Sequence, residues 1–171
     1  NLTANDSVIG LAASGRTPYV IGALDVATKI GAYTVAVTCN PGALMLEHAQ
    51  TGIVAEVGPE VITGSTRLKA GTAQKLILNM LSTAVMIKLG KVYGNLMVDV
   101  MVTNQKLADR ARRIVSEVTG ISTNEAGALL EKTNNHVKSA IVMALLNISA
   151  EEARQQLDNA RGILADVIQS R

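Results

Sequence analysis

The sequence predicts an α/β chain: a parallel sheet of about three strands flanked by helices, followed by an all-helical bundle. Three observations lead there. Short apolar runs at 8–13, 34–38 and 53–57 alternate with helical patterns, the order that builds right-handed crossovers between parallel strands. The runs are continuously apolar rather than alternating, which suits a sheet covered on both faces. From Ile121 onward only helical periodicity remains.

Each element follows in turn. The first strand runs straight into Ser14-Gly15-Arg16-Thr17-Pro18. Thr17 is placed to N-cap a helix over 19–30, and Pro18 suits its first turn. Gly31 ends that helix. The second strand, 34–38, leads into Asn40-Pro41-Gly42 and a short helix reaching about Gln50, and the third strand stops before Gly58. A loop rich in Gly, Thr and Ser, 59–71, precedes a long helical pattern over 72–89. That helix is apolar on most faces, so it must be buried between layers or between subunits. Gly90 and Gly94 punctuate the chain, and Asn95 and Asp99 order the turn after Gly94. An amphipathic helix over 107–118 stops at Gly120. Ser122 and Glu125 form a capping-box pattern that opens the bundle. Its helices lie near 124–132, 137–146 and 150–159, with a tail over 163–168. The domain boundary falls at Gly120, giving 1–120 for the sheet domain and 121–171 for a small three-helix bundle.

Composition narrows the function. The chain has 171 residues, 48% of them hydrophobic and 18% charged, enough apolar material to exclude disorder. It contains no Phe, no Trp and three Tyr. That argues against base-stacking platforms and against an aromatic wall for a sugar. A net charge of +2 without a basic run gives no footprint for nucleic acid. The lone Cys39 excludes an internal disulfide and points to a reducing compartment, hence the cytoplasm. With His48 and His136 the only histidines, no metal site is expected. No apolar run approaches about 18 residues, so no membrane span is expected, and no signal peptide is visible. The chain starts at Asn1 without Met and soon enters a strand, which reads as a fragment or a processed chain.

Two loops could carry chemistry. Ser14, Gly15, Arg16 and Thr17 follow the carboxyl end of a parallel strand and open a helix. That edge is where ligands of open α/β sheets bind, and a helix start with free hydroxyls favours an anion such as phosphate. An ordinary capped turn is the competing reading. The second loop carries Glu60, Ser65, Thr66, Arg67 and Lys69 before the long helix, and it could converge on the same anion. A solvated helix start is the alternative there. No Walker-type Gly-x-x-x-x-Gly-Lys-Ser/Thr occurs, so no nucleotide triphosphatase is suggested. Cys39 lacks a neighbouring His and reads poorly as a nucleophile. Asn79 reads as a hydrogen-bonded buried amide. His136 and Lys138 start a bundle helix, with surface placement as the default. Lys138 would reach an anion if the bundle folds over the sheet edge.

The motifs carry a resemblance. Ala12-Ala13-Ser14-Gly15-Arg16-Thr17-Pro18-Tyr19-Val20, Cys39-Asn40-Pro41-Gly42, the block from Gly58 to Lys75 that contains Gly64-Ser65-Thr66-Arg67-Leu68-Lys69-Ala70-Gly71, and Gly90-Lys91-Val92-Tyr93-Gly94-Asn95-Leu96-Met97-Val98-Asp99 follow in order. In this the chain resembles the bacterial N-acetylmuramic acid 6-phosphate etherases, a family related to the glucokinase regulatory protein. The resemblance implies a sugar-isomerase-type (SIS, flavodoxin-like) phosphosugar-binding fold with a helical C-terminal lid. It implies a homodimer acting on a phosphorylated amino sugar without metal or nucleotide cofactor. The implied reaction eliminates lactate across C2–C3 of the open-chain sugar and then adds water, giving N-acetylglucosamine 6-phosphate and D-lactate. The family's proteins are about twice as long. Their Gly-rich phosphate loop and the two acid/base glutamates lie in a first half with no counterpart here, so the catalytic carboxylates are expected upstream of Asn1 and the chain looks like the second half. Glu60 belongs to the second-half signature, where a substrate-hydroxyl or structural role fits better. The etherase is the first reading, with a non-catalytic phosphosugar-binding regulator as the alternative and a helical interaction module as a third. The chain alone is expected to be inactive.

Overall fold

The computed structural model describes residues 1–169. The described chain forms two compact units, Asn1–Leu81 and a second that begins at Ser82. The division falls within one helix, and the boundary expected at residue 120 lies inside the second unit.

The first unit contains β1 (Ser7–Leu11), α1 (Pro18–Ile30), β2 (Tyr33–Thr38), a 3-10 turn (Leu44–His48) and β3 (Thr51–Val54). The strands pair in parallel in the order β1-β2-β3. Backbone pairing runs past the ends of the regular strands: the Ala12 amide donates to the Val37 carbonyl at 3.1 Å, and the Cys39 amide to that of Ala13 at 3.0 Å. The central strand keeps two fully buried threonines, each with local partners. Thr34 exchanges bonds with Gln50, its amide donating to Oε1 and its hydroxyl accepting from the Gln50 amide. Thr38 donates its hydroxyl to the Ala13 carbonyl. Burial of these hydroxyls therefore leaves no unsatisfied oxygen.

α1 lies on β1 and β2. Its approach is closest at Gly10, where a Cβ would stand 2.8 Å from Val20 Cγ1. Leu24, Ala36, Ala43 and Met45 form the centre of this small core. The sheet departs from the expectation of two covered faces. Ile9 and Val54 stay more than a third exposed, because α1 and the 3-10 turn cover only the side towards which Val8, Gly10 and Ala12 point.

α2 (Lys69–Lys88) begins earlier than the apolar pattern indicates. Its burial also differs from expectation. Only Ala70 and Ile77 are buried, while Leu76, Met80, Val85 and Ile87 are at least half exposed. Among the described residues no other layer covers the exposed side of this helix.

The second unit opens with a tight antiparallel hairpin, β4 (Val92–Tyr93) and β5 (Leu96–Met97), turned at Gly94 with φ of 57°. The sequence indicated the turn and missed the ladder. Five helices follow: α3 (Gln105–Thr119), α4 (Thr123–Lys132), α5 (Val137–Leu146), α6 (Ala150–Asn159) and α7 (Leu164–Gln169). The Asn104 carboxamide accepts from the Leu107 amide and starts α3 ahead of its first apolar residue. Ser122 with Glu125, and Ser149 with Glu152, form complete capping boxes; the second was not anticipated. α5 is the central helix, buried along Val137, Ala140, Ile141 and Val142. α3, α4, α6 and α7 pack around it. Among the described residues no helix is long and apolar enough to cross a membrane.

Acidification is expected to weaken the second unit in two stages. His136 titrates below its ordinary value of 6.5 because burial penalises the imidazolium and because Arg154 and Lys138 repel it. The unfolded chain then binds a proton that the folded chain rejects, so stability falls as pH drops below 6.5. Glu125 and Glu152 titrate below the ordinary 4.5 through hydrogen bonds from their capping serines. Their contribution is intact above 4.5 and is lost as pH falls through the lower folded value. Thermal unfolding followed by circular dichroism should show a midpoint that drops below about pH 6.5 and drops again below about pH 4.5. A midpoint that stays flat down to about pH 4.5 overturns the His136 assignment.

Candidate functional site

The turn after β1 is built around Gly15. Its φ is 66° and it is buried. A Cβ there would fall 2.2 Å from the Ala43 Cβ and 2.9 Å from Thr38 Oγ1. The Gly15 amide donates to the Ala12 carbonyl, and the Gly15 carbonyl accepts from the Met45 amide at 3.0 Å. This locks the 14–17 turn onto the 38–45 turn, where the Asn40 carboxamide accepts from the Gly42 amide and reaches the Ser14 carbonyl at 3.5 Å. Both turns sit beyond the carboxyl ends of their strands.

Ser14, Arg16 and Thr17 are exposed on this rigid base. Thr17 is the N-cap of α1, yet its hydroxyl caps nothing. The Ser14 hydroxyl also makes no hydrogen bond within the described chain. Neither is consumed by the backbone, which removes the ordinary-cap reading of this turn. Arg16 makes no ion pair there either. The site therefore holds two free hydroxyls, a free guanidinium and a helix start whose first carboxylate-free turn carries Pro18.

The second loop is organised differently. Glu60 Oε2 accepts from the Lys69 amide and Oε1 from the Ala70 amide, both at 3.1 Å. The carboxylate thus caps α2 from nine and ten residues away, which explains why the helix starts at Lys69. These amides hold the Glu60 pKa below the ordinary 4.5, Ala70 first and Lys69 second. Lys69 returns its ammonium to the Pro59 carbonyl at 2.9 Å. Ser65 is half-buried, and Thr66 and Arg67 are exposed. Cys39, at the end of β2, has its thiol pKa raised by burial and by the nearby Glu60 charge. No hydrogen bond joins Ser14 to Ser65 among the described residues.

Lys138 sits elsewhere, inside the second unit. Its ammonium donates to the Gly162 carbonyl at 2.8 Å and the Gly90 carbonyl at 3.4 Å, with Asp99 Oδ1 at 3.9 Å. Asp99 also pairs with Lys91 at 2.8 Å, which holds its carboxyl below the usual range. Gly90 and Gly162 both adopt left-handed backbone, and a Cβ on Gly90 would press on the Gly162 carbonyl at 3.1 Å. Lys138 thus clasps two glycine turns, rather than lying on the surface. The sequence offered no sign of this, since the partners stand 24 and 48 residues away. Among the described residues no group of three or more His, Cys, Asp or Glu could hold a metal.

Comparison with known proteins gives a consistent result. No protein-family model matches the chain. Curated relatives are similar over nearly all of it. The N-acetylmuramic acid 6-phosphate etherase of Clostridium beijerinckii is 59% identical over 169 residues, which is 99% of this chain and 56% of that protein. That of Pectobacterium atrosepticum is 58% identical over 168 residues, covering 98% and 55% respectively. That of Yersinia pestis is 60% identical over 163 residues, covering 95% and 55%. The chain resembles these etherases, as its motifs imply, and spans about half the length of the curated relatives it matches.

Two substitutions test the geometry. Gly15→Ala should cost about 2–4 kcal/mol, from left-handed strain plus overpacking against Ala43, measured by urea unfolding of the first unit. Lys138→Met should cost about 1–3 kcal/mol by stranding two carbonyls. A loss below about 0.5 kcal/mol, typical of a surface lysine, would show that the clasp does not hold.

Proposed function

We propose that this chain is part of an N-acetylmuramic acid 6-phosphate etherase and supplies part of its phosphosugar site on an SIS-type sheet. The observation that carries this reading is identity near 60% to proteins of that name across 95–99% of the chain. The 14–17 turn supports it. Its hydroxyls, Arg16 and the start of α1 offer donors to a phosphate, and charge-assisted bonds of this kind are worth about 1.5–3 kcal/mol each. Ser65, Thr66 and Arg67 form the second arm, with Glu60 and Lys69 shaping the loop that carries them.

The reaction is elimination of lactate from the open-chain sugar phosphate, followed by hydration. It needs a base within hydrogen-bond reach of the C2 proton and an acid for the departing lactate oxygen. Glu60 is a poor candidate for either, because both its oxygens already accept backbone amides. The acid/base carboxylates belong to the part of the etherase that this chain does not include, and no metal or nucleotide is required. The enzyme works in the cytoplasm as a homodimer, with the apolar surface of α2 in the subunit contact.

A protein carrying this segment within the full etherase should release D-lactate from N-acetylmuramic acid 6-phosphate. Ser14→Ala should raise KM by about tenfold, the loss of one charge-assisted bond, with kcat little changed. An unchanged KM would remove Ser14 from the site. Binding of the sugar phosphate with no lactate release would favour the regulatory alternative. For the dimer, Met80→Asp combined with Ile87→Asp should halve the mass seen in sedimentation equilibrium. A wild-type monomer at about micromolar concentration would refute that contact.

A further inference from the structure

The second unit contains a cavity that no part of the proposed function uses. Its volume is about 330 Å3, at the lower end of the range for small-molecule sites. The segment between β5 and α3 forms one wall, the turn between α4 and α5 another, and Arg154 of α6 a third.

The polar groups around it are unspent. Arg154 has no acidic partner among the described residues. His136 bonds Ser139 through Nδ1 at 2.6 Å, and its other ring nitrogen makes no bond. The carboxamides of Asn134 and Asn135 and the hydroxyl of Thr103 also make none among the described residues. Asn134 and Asn135 have φ of 51° and 62°, so two consecutive residues hold the left-handed conformation that asparagine tolerates best after glycine. The one carboxylate on the wall, Asp99, is neutralised by Lys91 at 2.8 Å and faces Lys138 as well. The cavity is therefore rich in donors and carries an uncompensated guanidinium.

We infer that this cavity binds a small oxyanion, a carboxylate or a phosphate group, seated on the Arg154 guanidinium with the asparagine carboxamides and Thr103 as hydrogen-bond partners. The inference is independent of the etherase reading. Guanidinium meets either anion in a planar two-bond geometry, so the chemistry is shared and the probes separate the sources.

The test is titration of the intact chain with inorganic phosphate and, separately, with acetate, at ionic strength held constant with chloride. Backbone amide NMR shifts of residues 133–136 and 154 report binding. At least one of the two anions should give saturable shifts with a Kd in the millimolar range, and the tighter one identifies the anion class. Arg154→Gln, on an exposed helix position, should weaken that binding by about tenfold. Ser14→Ala should leave it unchanged, which separates this cavity from the phosphate seat proposed in the first unit. Absence of saturable shifts with both anions up to about 100 mM overturns the inference. So does equal binding by the Arg154→Gln protein.

Discussion

The first amides of each helix need acceptors, and how that need is met organises this chain. A helix leaves its first N–H groups without intrahelical partners. Here α2 takes the Glu60 carboxylate from a distant loop, α3 takes Asn104, and α4 and α6 take complete serine–glutamate boxes. α1 takes nothing: Thr17 stands at the N-cap position with its hydroxyl idle. α5 likewise starts at His136 without a side-chain cap, so two helix starts are left open, and the one at α1 lies beside Ser14 and Arg16.

That contrast assigns different duties to two loops that look alike in composition. Both are rich in hydroxyls and glycine, and both lead into a helix. The Glu60 loop supplies its own negative charge, so its helix start is already neutralised. The 14–17 turn supplies no negative charge and has a rigid base, because Gly15 can meet Ala43 and Thr38 only without a side chain. A phosphate would meet less competition there than at α2. Arg67 and Ser65 could still approach it from the second loop, while Lys69 is held by the Pro59 carbonyl.

Local signals were legible and distant ones were not. The helices of the second unit fall within two residues of their expected limits, since their caps and apolar positions lie within four residues of one another. The 14–17 turn was legible for the same reason. The hairpin of β4 and β5 escaped because two-residue strands show no period. The role of Glu60 escaped because a carboxylate capping a helix across nine residues leaves no spacing rule. Lys138 and Arg154 escaped because their surroundings come from segments far apart in the chain. Composition did expose one conflict: α2 is too apolar for the exposure the single chain gives it.

The exposure of α2 connects this conflict to function. Three large apolar side chains at least half exposed, Leu76, Met80 and Ile87, share one face of α2, a kind of surface that often marks an interaction site. Glu60 fixes the start of this helix, and the same carboxylate influences Cys39 at the end of β2. A subunit that packed on α2 would press on an element whose first turn is tied to the Glu60 loop. One carboxylate thus joins the start of α2 to the loop that follows β3.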